Sequence, residues 1–317
     1  MKNDFHKMIE QAETIAITGH TRPDGDCVGS ALGLYNYIKD NYGISAQVYL
    51  EEFSKDFKFI NGADKVRYIN DNRIYDLCIA VDCGDKSRQK DFVSIYENAK
   101  HTMCVDHHSS NPGFGEVCYI DAGACSASEL LYTLMDSYKI SKNTAESLYM
   151  GIVHDTGVFK HSNTTKSAMS IAGDLIEKGA NPAFIIDETF YKKTFAQNKL
   201  LGIALLKAKQ YLNGKVITTV LTLQDFENAG ASSMDTEGIV DQLRITEGTE
   251  TAVFLYQTEP GKFKVSLRSN NIVDVSAIAV SHGGGGHVRA AGFAKTGKEE
   301  DIINMIVYEI SEQLSGV

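Results

Sequence analysis

No stretch of this 317-residue chain approaches the roughly 20 consecutive apolar residues that span a bilayer, so the sequence holds no candidate transmembrane helix. The N-terminal run Met1-Lys2-Asn3-Asp4-Phe5-His6-Lys7 lacks the apolar core of a secretory signal, and a cytoplasmic location is expected. No C-x-x-C pair occurs. The six cysteines, Cys27, Cys78, Cys83, Cys104, Cys118 and Cys125, fall mostly in apolar strand-like runs. That pattern reads as buried reduced thiols and argues against a zinc site or a disulfide framework. Positive charge is also scarce. With 31 Lys and Arg against 41 Asp and Glu, the net charge of −10 has the wrong sign for a protein that coats long nucleic acid by displacing phosphate counterions. Anionic substrates remain open to an acidic chain where bound divalent cations reverse the local field. No internal repeat or low-complexity tract is visible.

What is present is an ordinary globular composition, 43% hydrophobic and 23% charged, and a length that suits two domains. In the first half, short apolar runs (14–19, 46–50, 76–82, 102–106, 117–120) alternate with longer amphipathic ones (5–12, 26–40, 88–98, 126–138, 143–153, 166–178). This alternation predicts an α/β fold with a parallel sheet covered by helices on both faces. Residues 184–211 read as helix, and 190–211 as a linker helix between a catalytic domain, 1–189, and a smaller mixed-sheet α/β domain, 212–317. The later part offers strands at 215–223, 251–257 and 263–269, helices at 235–247, 273–280 and 298–314, and a glycine cluster at 283–286.

Four apolar runs end in acid or histidine. The first leads into His20, Asp24 and Asp26; the second ends in Asp82; the third in Asp106-His107-His108; and the helix-like Leu148–Val153 run ends in His154-Asp155-Thr156-Gly157. In a parallel sheet the first three converge on one rim, where ligands gather. Clustered carboxylates there repel one another unless cations sit among them. Imidazole and carboxylate together suit Mn²⁺, Zn²⁺, Fe²⁺ or Co²⁺. Six donors exceed one tetrahedral ion and suit two ions sharing a carboxylate, as in two-metal phosphoryl chemistry. Taken singly, Asp24-Gly25-Asp26 is usually a turn, and a His-His pair is more often surface or core than ligand. Four such groups, each ending an apolar run, favour a site.

These residues carry a family resemblance. His20-x-x-Pro23-Asp24-Gly25-Asp26-x-x-Gly29-Ser30, Val81-Asp82, Asp106-His107-His108 and Asp155-Thr156-Gly157 resemble, in order, the four motifs of the DHH phosphoesterases. Gly283-Gly284-Gly285-Gly286-His287 followed by Arg289-Ala290-Ala291-Gly292-Phe293 resembles the signature of their DHHA1 domain. The resemblance covers essentially the whole chain and is nearest to the oligoribonuclease/pAp phosphatase branch. It implies two divalent ions, Mn²⁺ preferred, with His20 and Asp24 on one, Asp26, His107 and Asp155 on the other, and Asp82 bridging. Asp106 would act from behind the ligands, and His108 would face the scissile phosphate. His154 departs from the pattern and is either an alternative ligand or a core histidine.

In the second domain, four consecutive glycines gain nothing from helix or strand propensity, and their use is close backbone approach to a phosphate. Arg268, His287 and the glycines Gly284, Gly285 and Gly286 are therefore assigned to substrate phosphates across a cleft from the metals. Arg289 is an equal candidate for pairing with an acidic neighbour, and Arg88 a weaker one for closing over the phosphate. The expected activity is hydrolysis of short RNA to mononucleotides and of pAp to AMP, with neither membrane nor long nucleic acid as partner and a homodimer left open. The runner-up is a stand-alone phosphodiesterase for cyclic di-AMP or pApA. A family II pyrophosphatase, a RecJ-like exonuclease and a non-catalytic nucleotide sensor fit less well.

Overall fold

The computed structural model describes residues 2–315, in two compact units, Met1–Lys192 and Lys193–Val317. The first contains α1 (Lys2–Glu10), β1 (Thr14–Thr18), α2 (Gly25–Tyr42), β2 (Ser45–Tyr49), β3 (Leu77–Val81), α3 (Val93–Asn98), β4 (His101–Asp106), β5 (Val117–Ile120), α4 (Ala127–Leu134), α5 (Lys142–Asp155), α6 (Lys166–Glu177) and α7 (Pro182–Ile186). Its five strands pair in the order β2-β1-β3-β4-β5, all parallel. Alternate residues serve opposite faces. Ile15 and Ile17 join the core formed with α1, α2, α4, α5 and α6, whereas Ala16 lies with Cys78, Ala80, Tyr49 and the α3 side chain Ile95 on the other. Burial on both faces is why these strands read as continuous apolar runs. Because β1, β3 and β4 are adjacent and parallel, the residues after their C-terminal ends share one rim.

Helix α5 reaches that rim through an unusually close contact with α2. A Cβ on Gly29 would lie 2.6 Å from the Ser147 carbonyl oxygen and 2.8 Å from the Gly151 nitrogen, and one on Gly33 would lie 2.7 Å from Leu148. Only glycine lets the two backbones approach so nearly, and the approach carries Asp155, the last residue of α5, to the rim.

The second unit contains α8 (Phe195–Leu206), β6 (Lys209–Tyr211), β7 (Val216–Leu221), α9 (Leu223–Ala229), α10 (Ile239–Arg244), β8 (Thr251–Glu259), β9 (Lys262–Ser269), α11 (Val275–Ser281), β10 (Gly285–His287), β11 (Ala290–Thr296) and α12 (Glu299–Ser315). Its sheet runs β10-β11-β9-β8-β7-β6, with only β7 and β8 parallel. One face packs on α11 and α12 through Val253, Val265, Leu267 and Phe293. The other packs on α8, α9 and α10 through Ile217, Leu221 and Phe254.

Three expectations need correction. The helix anticipated over 184–211 is broken: after α7 comes a π-turn, Asp187–Tyr191, and a new helix begins where Thr194 and Gln197 form a reciprocal capping box. The supposed linker 190–211 is thus mostly α8 and β6, and Leu200 and Ala204 are buried against the second unit's sheet. The glycine cluster is part of regular structure. Gly283 and Gly284 donate to the Val280 and Ala279 carbonyls at the end of α11, and Gly285 and Gly286 belong to edge strand β10. Lastly, five cysteines are buried, but Cys118 on edge strand β5 is exposed.

Gly29→Ala is expected to destabilise the first unit by about 1–3 kcal/mol through overpacking. Urea unfolding should show the lowered midpoint, and an unchanged midpoint would contradict the close contact.

Candidate metal centre

Each rim residue is placed by its own backbone. Gly19 follows β1, and a Cβ there would sit 2.3 Å from Cys27 Sγ. The chain then turns to His20, whose Nδ1 donates to the Thr21 carbonyl at 2.9 Å. That bond fixes the tautomer and leaves Nε2 facing Asp82 Oδ2 at 3.3 Å and Asp24 Oδ2 at 3.7 Å. Asp24 is the N-cap of α2, accepting from the Asp26 and Cys27 backbone N–H groups. Asp26, fully buried, takes the Ala127 and Ser128 N–H groups at 2.6 and 3.1 Å, so it also caps the N-terminus of α4.

Asp82 stands just past β3 at φ 52°, a left-handed conformation that few non-glycine residues adopt and that concentrates at functional sites. Its carboxylate is the hub of the rim. Oδ1 lies 3.4 Å from His107 Nε2 and 3.7 Å from His108 Nδ1, yet it is buried and accepts no hydrogen bond. Asp106 ends β4 with both oxygens taken, one by His108 Nδ1 at 2.7 Å and the other by Asn111 Nδ2 at 2.7 Å. It therefore orients His108. His107 Nε2 reaches Asp155 Oδ2 at 3.1 Å. Beyond Asp155, Gly157, Val158 and Phe159 all have positive φ, and Thr156 holds this turn by accepting the Phe159 N–H on its hydroxyl. Asn163 donates to the Asp155 carbonyl.

Charge without compensation marks the cluster. Burial, with Asp82 and Asp155 nearby, pushes the Asp26 carboxyl well above the ordinary range; burial and Asp82 lift Asp155 to about 7. Burial alone would lower His107, but Asp82 and Asp26 outweigh it and raise it to about 10. His20 is likewise raised despite burial, by Asp24 and Asp82. Asp24 is held down at about 2, its burial outweighed by His20 and the backbone donors. A rim that draws protons onto its imidazoles and carboxylates in this way suits cations better than protons.

The donors fit divalent metal. Three sets bring ligand atoms within 4.8 Å of one another: His20, Cys27 and Asp82; Asp82, His107 and His108; and Asp26, His107 and Asp155. The unpartnered Asp82 Oδ1 is what a cation would satisfy, and imidazole with carboxylate is a donor set for a transition-metal dication. Asp24 touches only the first set, through His20. His154 belongs to none of them. Its ring packs on Phe57 and Phe190, burial lowers its pKa to about 4, and a Cβ on Gly25 would strike it at 2.1 Å. It is a packing residue that requires glycine at position 25.

Arg88 lies on an exposed turn, and its carbonyl accepts the Thr21 N–H, tying that turn to the His20 loop. In the second unit, Arg268 and His287 both stand in register with Ala290, one on each neighbouring strand. Cross-strand partners share a face, so the small Ala290 separates two cationic or polar side chains. Arg268 Nε also meets Asp241 at 3.2 Å. Arg289 bonds the Val273 carbonyl and the Ser269 hydroxyl, and it has no acidic partner among the described residues. The glycines are needed for packing: a Cβ on Gly284 would lie 2.2 Å from the Gly292 oxygen, and one on Gly286 2.4 Å from the Ala290 oxygen.

Three participants escape a reading by motif: Cys27 beside His20, Asn111 on Asp106, and the α4 N-terminus on Asp26. Only the last has a local signal, the Ser126-x-x-Glu129 helix start.

The description "DHH family, N-terminal domain" matches residues 14–152, and the DHHA1 domain matches 213–314. The chain is 30% identical over 294 residues to the bifunctional oligoribonuclease and PAP phosphatase NrnA of Thermus thermophilus, spanning 90% of this chain and 86% of that one. It is 26% identical over 297 residues to the protein of that name from Bacillus subtilis, spanning 92% of each. Its fold matches the crystal structure of an exopolyphosphatase-related protein from Bacteroides fragilis, with TM-score 0.82 at 24% identity, covering 97% and 94% of the two chains.

Divalent ions must displace protons from His107 and from a partly protonated Asp155. Metal affinity is therefore expected to rise with pH through the titration of Asp155 near 7 and on to that of His107 near 10, with net proton release. Calorimetric titration in buffers of different ionisation enthalpy measures both.

Proposed function

The chain belongs to the DHH phosphoesterases with a DHHA1 domain, hydrolases of phosphate esters, and from that premise we propose that it degrades very short RNA to mononucleotides and converts pAp to AMP in the cytoplasm. The observation that carries the reading is the buried Asp82 carboxylate, whose Oδ2 faces His20 and whose Oδ1, beside His107 and His108, has no hydrogen-bond partner among the described residues. Two ions, Mn²⁺ preferred, would be held by His20 and Asp24 on one side, Asp26, His107 and Asp155 on the other, with Asp82 between them. When bound, they supply Lewis acidity and lower the pKa of water.

The protein's own groups do the rest. Asp106 holds His108 through Nδ1 and, by that hydrogen bond, raises its pKa. That shift favours the imidazolium form, whose other nitrogen would donate to a phosphoryl oxygen, where negative charge builds as the P–O bond breaks. The rim otherwise repels anionic substrate, so binding needs cationic help from elsewhere in the chain. In the second unit, Arg268 and His287 on either side of Ala290, with Arg289 and the edge of β10, form the proposed phosphate grip; in the first unit, Arg88 on its exposed turn is a separate candidate contact. Relatives carrying the bifunctional description support the choice of short RNA and pAp.

Turnover of dinucleotide to pentanucleotide RNA, pAp, pApA, cyclic di-AMP and pyrophosphate with Mn²⁺ tests this. Highest kcat/KM on pApA or cyclic di-AMP would overturn it. Asp82→Asn is expected to lower kcat at least about 10²–10³-fold while leaving the circular dichroism unchanged. Arg268→Ala should raise KM about tenfold or more with kcat largely retained, the mark of a lost binding contact.

A further inference from the structure

Among the described residues, Cys27 is the one soft donor in the cluster. It stands in the first turn of α2, fully buried, with Sγ within 4.8 Å of ligand atoms on both His20 and Asp82. Asp82 beside it is itself nearly fully buried, with Oδ2 3.3 Å from His20 Nε2 and Oδ1, on the His107 side, without a hydrogen-bond partner among the described residues. The backbone makes room for the sulfur. Gly19 approaches it so closely that any side chain there would collide with Sγ. The neighbouring Cys83 and Cys104 are buried too, but neither joins a donor set.

We propose that Cys27 is a conditional ligand of the His20/Asp82 ion position, engaged by thiophilic dications such as Zn²⁺, Cd²⁺ or Co²⁺ and left uncoordinated by Mn²⁺. This rests on the two-metal reading above. Thiolate suits soft and borderline ions, whereas Mn²⁺ is served by carboxylate, imidazole and water. In the binding step the S–H bond breaks, a metal–sulfur bond forms, and the proton leaves to solvent. The same position thus has two ligand sets, His20 with carboxylates for a hard ion and His20, Cys27 and Asp82 for a soft one. Zinc bound with sulfur would be held more tightly than manganese and would compete with it.

The test is Co²⁺ added to the metal-free full-length protein, read by absorption. A near-ultraviolet sulfur-to-cobalt charge-transfer band is expected for the unmodified chain and for Cys83→Ser. It should be absent from Cys27→Ser and Cys27→Ala, whose visible cobalt d–d bands persist and show that the centre still folds and loads. The ratio of Zn²⁺ to Mn²⁺ affinity should fall about tenfold or more in the Cys27 variants, the loss typical of removing a group that supports a bound metal. Cobalt binding without the charge-transfer band in the unmodified chain, or a band that survives Cys27→Ala, would overturn the proposal alone. Failure of the unmodified chain to bind Co²⁺ or Mn²⁺ at all would overturn the metal reading and this proposal with it.

Discussion

The candidate centre is defined by the mutual repulsion of Asp26, Asp82 and Asp155. Three carboxylates are gathered where water is mostly excluded, and burial raises the free energy of each charged form. The protein offsets this only in part. Asp26 has helix N–H groups, Asp155 has His107, and Asp82 has one oxygen that accepts no hydrogen bond among the described residues. The close α2–α5 contact, the left-handed Asp82 backbone and the three positive-φ residues after Asp155 are the backbone features that hold these groups at the rim. Local cost at a site, supported by a rigid frame, is the arrangement expected where a missing partner will supply the compensation.

Much of that frame is legible in the residue pattern. Parallel strands buried on both faces must be apolar throughout, so the point where an apolar run meets Asp or His marks the rim; β5 and α6 lie where the periodicity places them. The rim's membership follows from adjacency of β1, β3 and β4. Less legible are features carried by single side chains acting in space. The break before α8 depends on the Thr194–Gln197 box inside an otherwise helical pattern. Strand β10 is built largely from glycine, which has no strand preference, and it forms because β11 offers a partner edge. Asn111 and Cys27 are invisible as site residues because their spacing from the motif acids carries no periodic signal. His154 illustrates the reverse, an imidazole next to a motif acid whose neighbours are Gly25, Phe57 and Phe190 and which serves packing.

The second unit solves a different problem with the same residue types. Its glycines relieve collisions with the backbone oxygens of β11, and its arginines lean on carbonyls and on Asp241. The pattern that matters there is a row across three strands, Arg268, Ala290 and His287, set by register. A small residue in the middle of such a row spaces the outer two by the width of two strand separations, about 10 Å.

Asp26 belongs at once to the donor cluster and to the start of helix α4. Its carboxylate receives the first N–H groups of that helix, and the Ser128 hydroxyl nearby has no partner of its own. Asp26 thus ties the donor cluster to the first turn of α4: a cation held there would share the carboxylate with the helix's own N–H groups.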